Sequence, residues 1–174
     1  MSLFPPGTVE RYRAEGHWGD LTLPAMFEAT ARRVPDRPGL IDPPNRAQVW
    51  QGTPRRLTYG EMAAEVDALA GALRAEGLGA GSIVATQLPN VAEVILLYLA
   101  VSRIGAVLSP VSLAYRSAEL AGTAAVADFD AFVSVGTVNG RPHYAERLGA
   151  LPGGVRRLGI GAGLPDGVTR LDGH

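Results

Sequence analysis

The sequence predicts an α/β fold, a mainly parallel sheet of βαβ units flanked by helices, and three observations point there. Short apolar stretches that read as strands begin near Ile83, Ala106, Asp130 and Val155, at intervals of 23, 24 and 25 residues. Each interval holds one helical segment, over 90–103, 117–127 and 141–150. The stretch 88–120 also reads without interruption as a strand end, a helix, a second strand and a second helix start. Apolar strands alternating with helices build parallel sheets, because a right-handed crossover lays each helix back over the sheet.

The elements follow in order. Residues 1–21 are rich in Pro, Gly and charge without periodicity and are expected as an extended lead-in pinned by Tyr12 and Trp18. A helix is expected over 23–34, with Thr22 as N-cap, Pro24 in the first turn and Leu23, Met26, Phe27, Thr30, Ala31 and Val34 along one stripe. Pro35 and Pro38 end it. A strand over 39–42 is expected to return as a hairpin through 48–50 and 55–57, after the Pro43-Pro44-Asn45 turn signal. Thr58 and Glu61 have the spacing of a capping box for a helix over 59–76, whose Met62, Val66, Leu69, Ala70 and Leu73 face inward and which Gly77 closes.

Composition narrows the function classes. The 174 residues are 47% hydrophobic and 19% charged, ordinary values for a folded domain, and the formal net charge of -1 leaves no basic footprint for nucleic acid. The longest apolar run, 94–101, is far short of the about 20 residues that a membrane span needs. No secretory signal is read at the N-terminus, and the chain has no cysteine, so a cytoplasmic location is expected. All sixteen cationic side chains are arginine. No lysine is available for chemistry.

The usual catalytic patterns are absent. Gly159, Gly161 and Gly163 follow a strand but precede another turn, and Gly77, Gly79 and Gly81 precede a strand, so neither set makes a phosphate cradle at a helix start. His17, His143 and His174 have no partner at metal-binding spacing and read as isolated surface histidines. No serine sits in a nucleophile elbow. Glu61, Glu93 and Glu119 stand near helix starts, where a carboxylate serves the helix without catalysis.

Several segments nonetheless have a familiar order: Leu57-Thr58-Tyr59-Gly60-Glu61, the run Gly77-Leu78-Gly79-Ala80-Gly81-Ser82-Ile83-Val84-Ala85, Leu88-Pro89-Asn90, and Ala100-Val101-Ser102-Arg103-Ile104-Gly105-Ala106-Val107. Over 21–135 the chain resembles the start of adenylate-forming (AMP-binding) enzymes, and most closely the N-terminal part of an acyl-CoA synthetase. The resemblance implies that 22–174 is an incomplete portion of the large N-terminal domain of such an enzyme. It also implies ATP, Mg²⁺ and coenzyme A for the complete enzyme, a carboxylic acid substrate, and the remainder of the synthetase as partner.

In that family a Pro-Lys-Gly loop and a C-terminal lysine serve adenylation, and neither can come from a chain without lysine. The chain alone is therefore expected to be inactive, with no catalytic residue, no metal and no cofactor of its own. Arg116 and Arg141 are the candidate contacts to the phosphates of coenzyme A, since segments equivalent to theirs touch its nucleotide end in some relatives. Ser112-Leu113 stands where the family usually has Asn-Pro, and a solvated arginine at a helix start is the plain alternative for Arg116. Two other readings stay open: a stand-alone interaction or dimerisation module, and a fragment of an amino-acid-activating adenylation domain. Unpaired strand edges would leave room for a homo-oligomer.

Overall fold

The computed structural model describes residues 4–172. Where an extended lead-in is expected, it places a short helix, α1 (Thr8–Ala14). The aromatic residues account for the difference: Tyr12 meets Trp18 edge-on at 5.2 Å and Phe4 meets Trp18 at 5.1 Å, so the segment gathers around its own rings. No residue of α1 is buried.

Helix α2 (Leu23–Arg33) starts as expected, with Thr22 Oγ1 accepting from the Ala25 N–H, and buries Phe27 and Ala31. Strand β1 (Pro38–Ile41) pairs antiparallel with β2 (Arg56–Thr58). The expected extended segment over 48–50 is instead the end of a one-turn helix, α3 (Arg46–Val49), followed by Trp50. Arg46 causes this turn by reaching back to Asp42 and lying over the Trp50 ring at 4.9 Å.

Helix α4 (Tyr59–Ala75) carries the full capping box: Thr58 Oγ1 accepts from the Glu61 N–H, and Glu61 Oε2 accepts from the Thr58 N–H at 2.8 Å, together worth about 1 kcal/mol. It ends where Gly77, at φ 76°, lets the Leu78 N–H reach the Leu73 carbonyl.

The βα series follows its expected order: β3 (Ile83–Gln87), α5 (Ala92–Arg103), β4 (Val107–Pro110), α6 (Ser117–Ala127) and β5 (Ala131–Val135). The helix expected over 141–150 does not form. In its place stand β6 (Thr137–Val138) and β7 (Arg141–Pro142), an antiparallel pair, and a single 3-10 turn at Leu148–Ala150. Asn139 and Gly140 take φ 50° and 70°, the left-handed pair that a two-residue hairpin turn requires. Tyr144 then plunges under the sheet, fully buried, and donates its hydroxyl to the Phe132 carbonyl. Strands β8 (Arg156–Ile160) and β9 (Thr169–Arg170) complete the sheet, whose order is β4-β3-β5-β8-β9, parallel throughout.

The sheet separates two cores. On one face Val84, Val133 and Ile160 meet α4 and α5 through Val66, Leu73, Leu97 and Val101. On the other, Ala85 and Phe132 meet Leu120 and Ala124 of α6 together with Tyr144 and Leu151. This alternation along each strand is what two covered faces demand. Among the described residues no helix is long and apolar enough to cross a membrane.

Glu93 does not cap α5, as its position suggests. Its carboxylate receives both Nη1 and Nη2 of Arg46, at 2.8 and 2.9 Å, and Nη1 of Arg55 at 3.1 Å. The orphan N–H of Ala92 at the start of α5 is instead taken by Asp42 Oδ1 at 2.7 Å, fifty residues away in sequence.

Candidate functional site

Within this sheet order the α5 crossover runs from β3 outward to β4, and the α6 crossover runs back from β4 past β3 to β5, so the strand order reverses beside β3. A crevice outside the carboxyl ends of β3 and β5 results, the usual place for a ligand on an open parallel sheet. An open cleft of about 430 Å³ lies there, lined by the turn before α6 and by the β6–β7 hairpin with the segment after it. Both arginines singled out from sequence, Arg116 and Arg141, line it and are exposed.

Each arginine is held by a different device. Arg116 is the N-cap of α6, and its backbone N–H donates to Glu119 Oε2 at 3.0 Å. A guanidinium has no acceptor to offer the helix, so its side chain takes no part in the cap. Arg141 rides on β7 immediately after the Asn139-Gly140 turn. Arg147, Glu146 and His143 complete the charged and polar lining. Arg147 is buried and turned onto the protein, so the two exposed arginines, Arg116 and Arg141, are the free cations of the cleft, and forked guanidinium donors suit the oxygens of a phosphate group. A more apolar recess of about 270 Å³, including Pro89 and Val49, adjoins the cleft through Leu113, Val138 and Asn139.

His143 and Arg147 were not singled out from sequence. His143 is 4% exposed, not a surface histidine, and its Nε2 has no hydrogen-bond partner. Burial, and then the neighbouring Arg147, push its pKa down to about 4 against a weaker pull from Glu146. The ring is neutral near pH 7. The signal that could have found this region is Asn139-Gly140, a hairpin marker that brings the next residues back onto the sheet instead of into a helix. His17 is exposed beside Glu15, and His174 lies outside the described residues.

The low folded value of His143 has a sign. Between about 4 and the ordinary 6.5 the unfolded chain binds a proton that the folded chain refuses, so stability is complete above 6.5 and falls as the pH is lowered toward 4. Chemical denaturation at pH 7 and pH 4.5 is expected to show this drop in the parent chain and a smaller one in His143→Gln. Equal drops in the two proteins would refute the assignment.

Comparison with known proteins places these features in a wider set. A family model described as AMP-binding enzyme matches residues 27–156. The medium-chain fatty-acid–CoA ligase of Escherichia coli is 35% identical over 109 residues, 63% of this chain and 18% of the ligase. The salicyl-AMP ligase / salicyl-S-ArCP synthetase of Mycobacterium tuberculosis is 35% identical over 123 residues, 71% of this chain and 21% of that protein. The chain thus spans about a fifth of the length of these curated relatives. Among solved structures, apo MbtA of Mycobacterium smegmatis superposes with a TM-score of 0.73 at 28% identity, covering 98% of this chain and 30% of that one.

Proposed function

This chain belongs to the AMP-binding enzyme family, and we propose that it is the N-terminal part of an ATP-dependent acyl-CoA synthetase, its cleft receiving the phosphate-bearing end of coenzyme A. The observation that carries the reading is the meeting of Arg116 and Arg141, 25 residues apart in sequence, on one open cleft at the carboxyl edge of the sheet. The likeness to a fatty-acid–CoA ligase supports it.

In the complete reaction a carboxylate oxygen attacks the α-phosphorus of ATP, forming the acyl-adenylate as the bond to pyrophosphate breaks. The thiol sulfur of coenzyme A then attacks the acyl carbon, its proton is lost, and AMP leaves. The residues present fit a role in the second step. Arg116 and Arg141 would hold phosphate, with the neutral, buried imidazole of His143 packed behind them.

They do not fit the first step. The chain has no lysine to stabilise charge on the transferring phosphoryl group. We therefore assign ATP and Mg²⁺ to the remainder of the synthetase. The 174-residue chain is expected to give no ATP–pyrophosphate exchange with any carboxylic acid. It is also expected to bind adenosine 3′,5′-bisphosphate, with Arg116→Ala and Arg141→Ala each weakening binding by about tenfold, the worth of one charge-assisted contact. Exchange by the chain alone, or no bisphosphate binding, would sink the reading.

A second reading is favoured by the likeness to the salicyl-AMP ligase / salicyl-S-ArCP synthetase: the parent activates an aryl acid and passes it to a carrier protein. Bisphosphate binding separates the two, because a carrier protein brings no free adenosine phosphate.

A further inference from the structure

Arg116 and Arg141 stand on separate segments, and a buried polar link joins those segments. Arg147 is 5% exposed, and its guanidinium makes four hydrogen bonds to the protein. Nε donates to Gln87 Oε1 at 3.0 Å, Nη1 to the His143 carbonyl at 2.8 Å and to Glu146 Oε2 at 3.2 Å, and Nη2 to the Tyr115 carbonyl at 3.2 Å. Gln87, fully buried at the end of β3, turns its amide Nε2 to the carbonyls of Ser112 at 2.7 Å and Tyr115 at 3.1 Å. Ser117 Oγ closes the loop by donating to the Glu146 carbonyl at 2.7 Å.

These bonds belong to no strand or helix ladder. They bring three chain segments to one point: the end of β3, the turn before α6, and the stretch after β7. Burying an arginine is costly, and a well-packed apolar side chain often stabilises as much or more. What the arginine supplies is geometry, since its planar fork reaches acceptors on two segments at once and fixes their separation.

We infer that Gln87 and Arg147 are positioning residues that lock the turn bearing Arg116 onto the segment bearing Arg141, setting the cleft for a phosphate-bearing ligand. This rests on the coenzyme A reading for the ligand, whereas the lock itself is a property of the free chain.

The test uses the full chain and two variants. Arg147→Lys keeps a cation and discards the fork. Gln87→Glu keeps an acceptor for Arg147 Nε and discards the amide that holds Ser112 and Tyr115. Backbone hydrogen exchange in the ligand-free chain is expected to quicken over 112–117 in both variants while β3 and β5 keep their protection. Unchanged exchange over 112–117 overturns the lock, whether or not a nucleotide binds. If Arg147→Lys also exposes β5, Gln87→Glu decides by the same criterion.

Affinity for adenosine 3′,5′-bisphosphate is expected to fall about tenfold in both variants, as misplaced contact groups do. Its salt dependence should stay parallel to the parent's, because neither residue touches phosphate; Arg116→Ala and Arg141→Ala flatten that dependence instead. Faster exchange with unchanged affinity overturns the positioning role. A parent chain that binds no bisphosphate overturns the coenzyme A reading alone, and the exchange result then decides the lock by itself.

Discussion

Replacing Arg46 with alanine is expected to lower the unfolding free energy by about 3–5 kcal/mol, the cost of leaving buried charge without its partner. Arg46 is 4% exposed and Asp42 5% exposed, and the guanidinium bridges Asp42 at 2.6 Å and Glu93 at 2.8 Å. Arg55 extends the chain of charges by pairing with both Glu93 and Glu65. Burial pushes the Asp42 carboxyl up, but the N–H groups of Arg55 and Ala92 and the Arg46 guanidinium together hold it below the ordinary carboxylate value. Removing Arg46 strips part of that support while Asp42 still holds the first turn of α5.

Guanidinium chloride titration at pH 7 measures the loss, and a change below about 1 kcal/mol would show a solvated pair instead. The double variant Arg46→Ala with Glu93→Ala should lose less than the two single losses combined, since each single change orphans what the other removes. Because Asp42 is depressed in the folded chain, its contribution is complete above the ordinary value of 3.8 and is lost only as the pH falls through the still lower folded value. That window lies below the one set by His143.

Gly136→Ala is the second large effect, about 3 kcal/mol at the upper end of the overpacking range. A Cβ there would lie 2.8 Å from the Ala162 carbonyl oxygen and would overlap the Gly163 carbonyl outright. Both neighbours are backbone, so no rotamer change relieves the clash. The turn after β8 is thus pressed against the entry to the β6–β7 hairpin, where the Gly136 carbonyl accepts from the His143 N–H at 2.9 Å. A thermal midpoint unchanged in Gly136→Ala would show that the 161–163 turn yields freely. Gly140→Ala is a useful contrast: nothing lies within 4 Å of its Cβ, and only its φ of 70° resists the change.

Legibility in the sequence followed the range of the forces. The capping box at Thr58 and Glu61, the stripe of α4 and the alternation of strand and helix from Ile83 to Val135 all rest on contacts between residues close in sequence or on simple periodicity. Two of the misreadings share a different cause. Residues 46–50 form a turn because Asp42, Glu93 and Trp50 converge on Arg46, and 141–150 leaves the helix pattern because a hairpin turn delivers His143, Tyr144 and Arg147 to the sheet. At both places contacts between segments distant in sequence, the Arg46–Glu93 pair and the Tyr144–Phe132 bond under the sheet, overrode the local pattern.

By itself the sequence determined the α/β class, the alternation of parallel strands and helices through β5, the family resemblance and the lack of any lysine for chemistry. Only the tertiary structure decided that Arg116 and Arg141 share one cleft, that a neutral His143 lines it, and that Arg147 and Gln87 tie its two sides together. The reason is that period and capping are written residue by residue, whereas a cleft is made by loops that meet only after the crossovers have placed their strands.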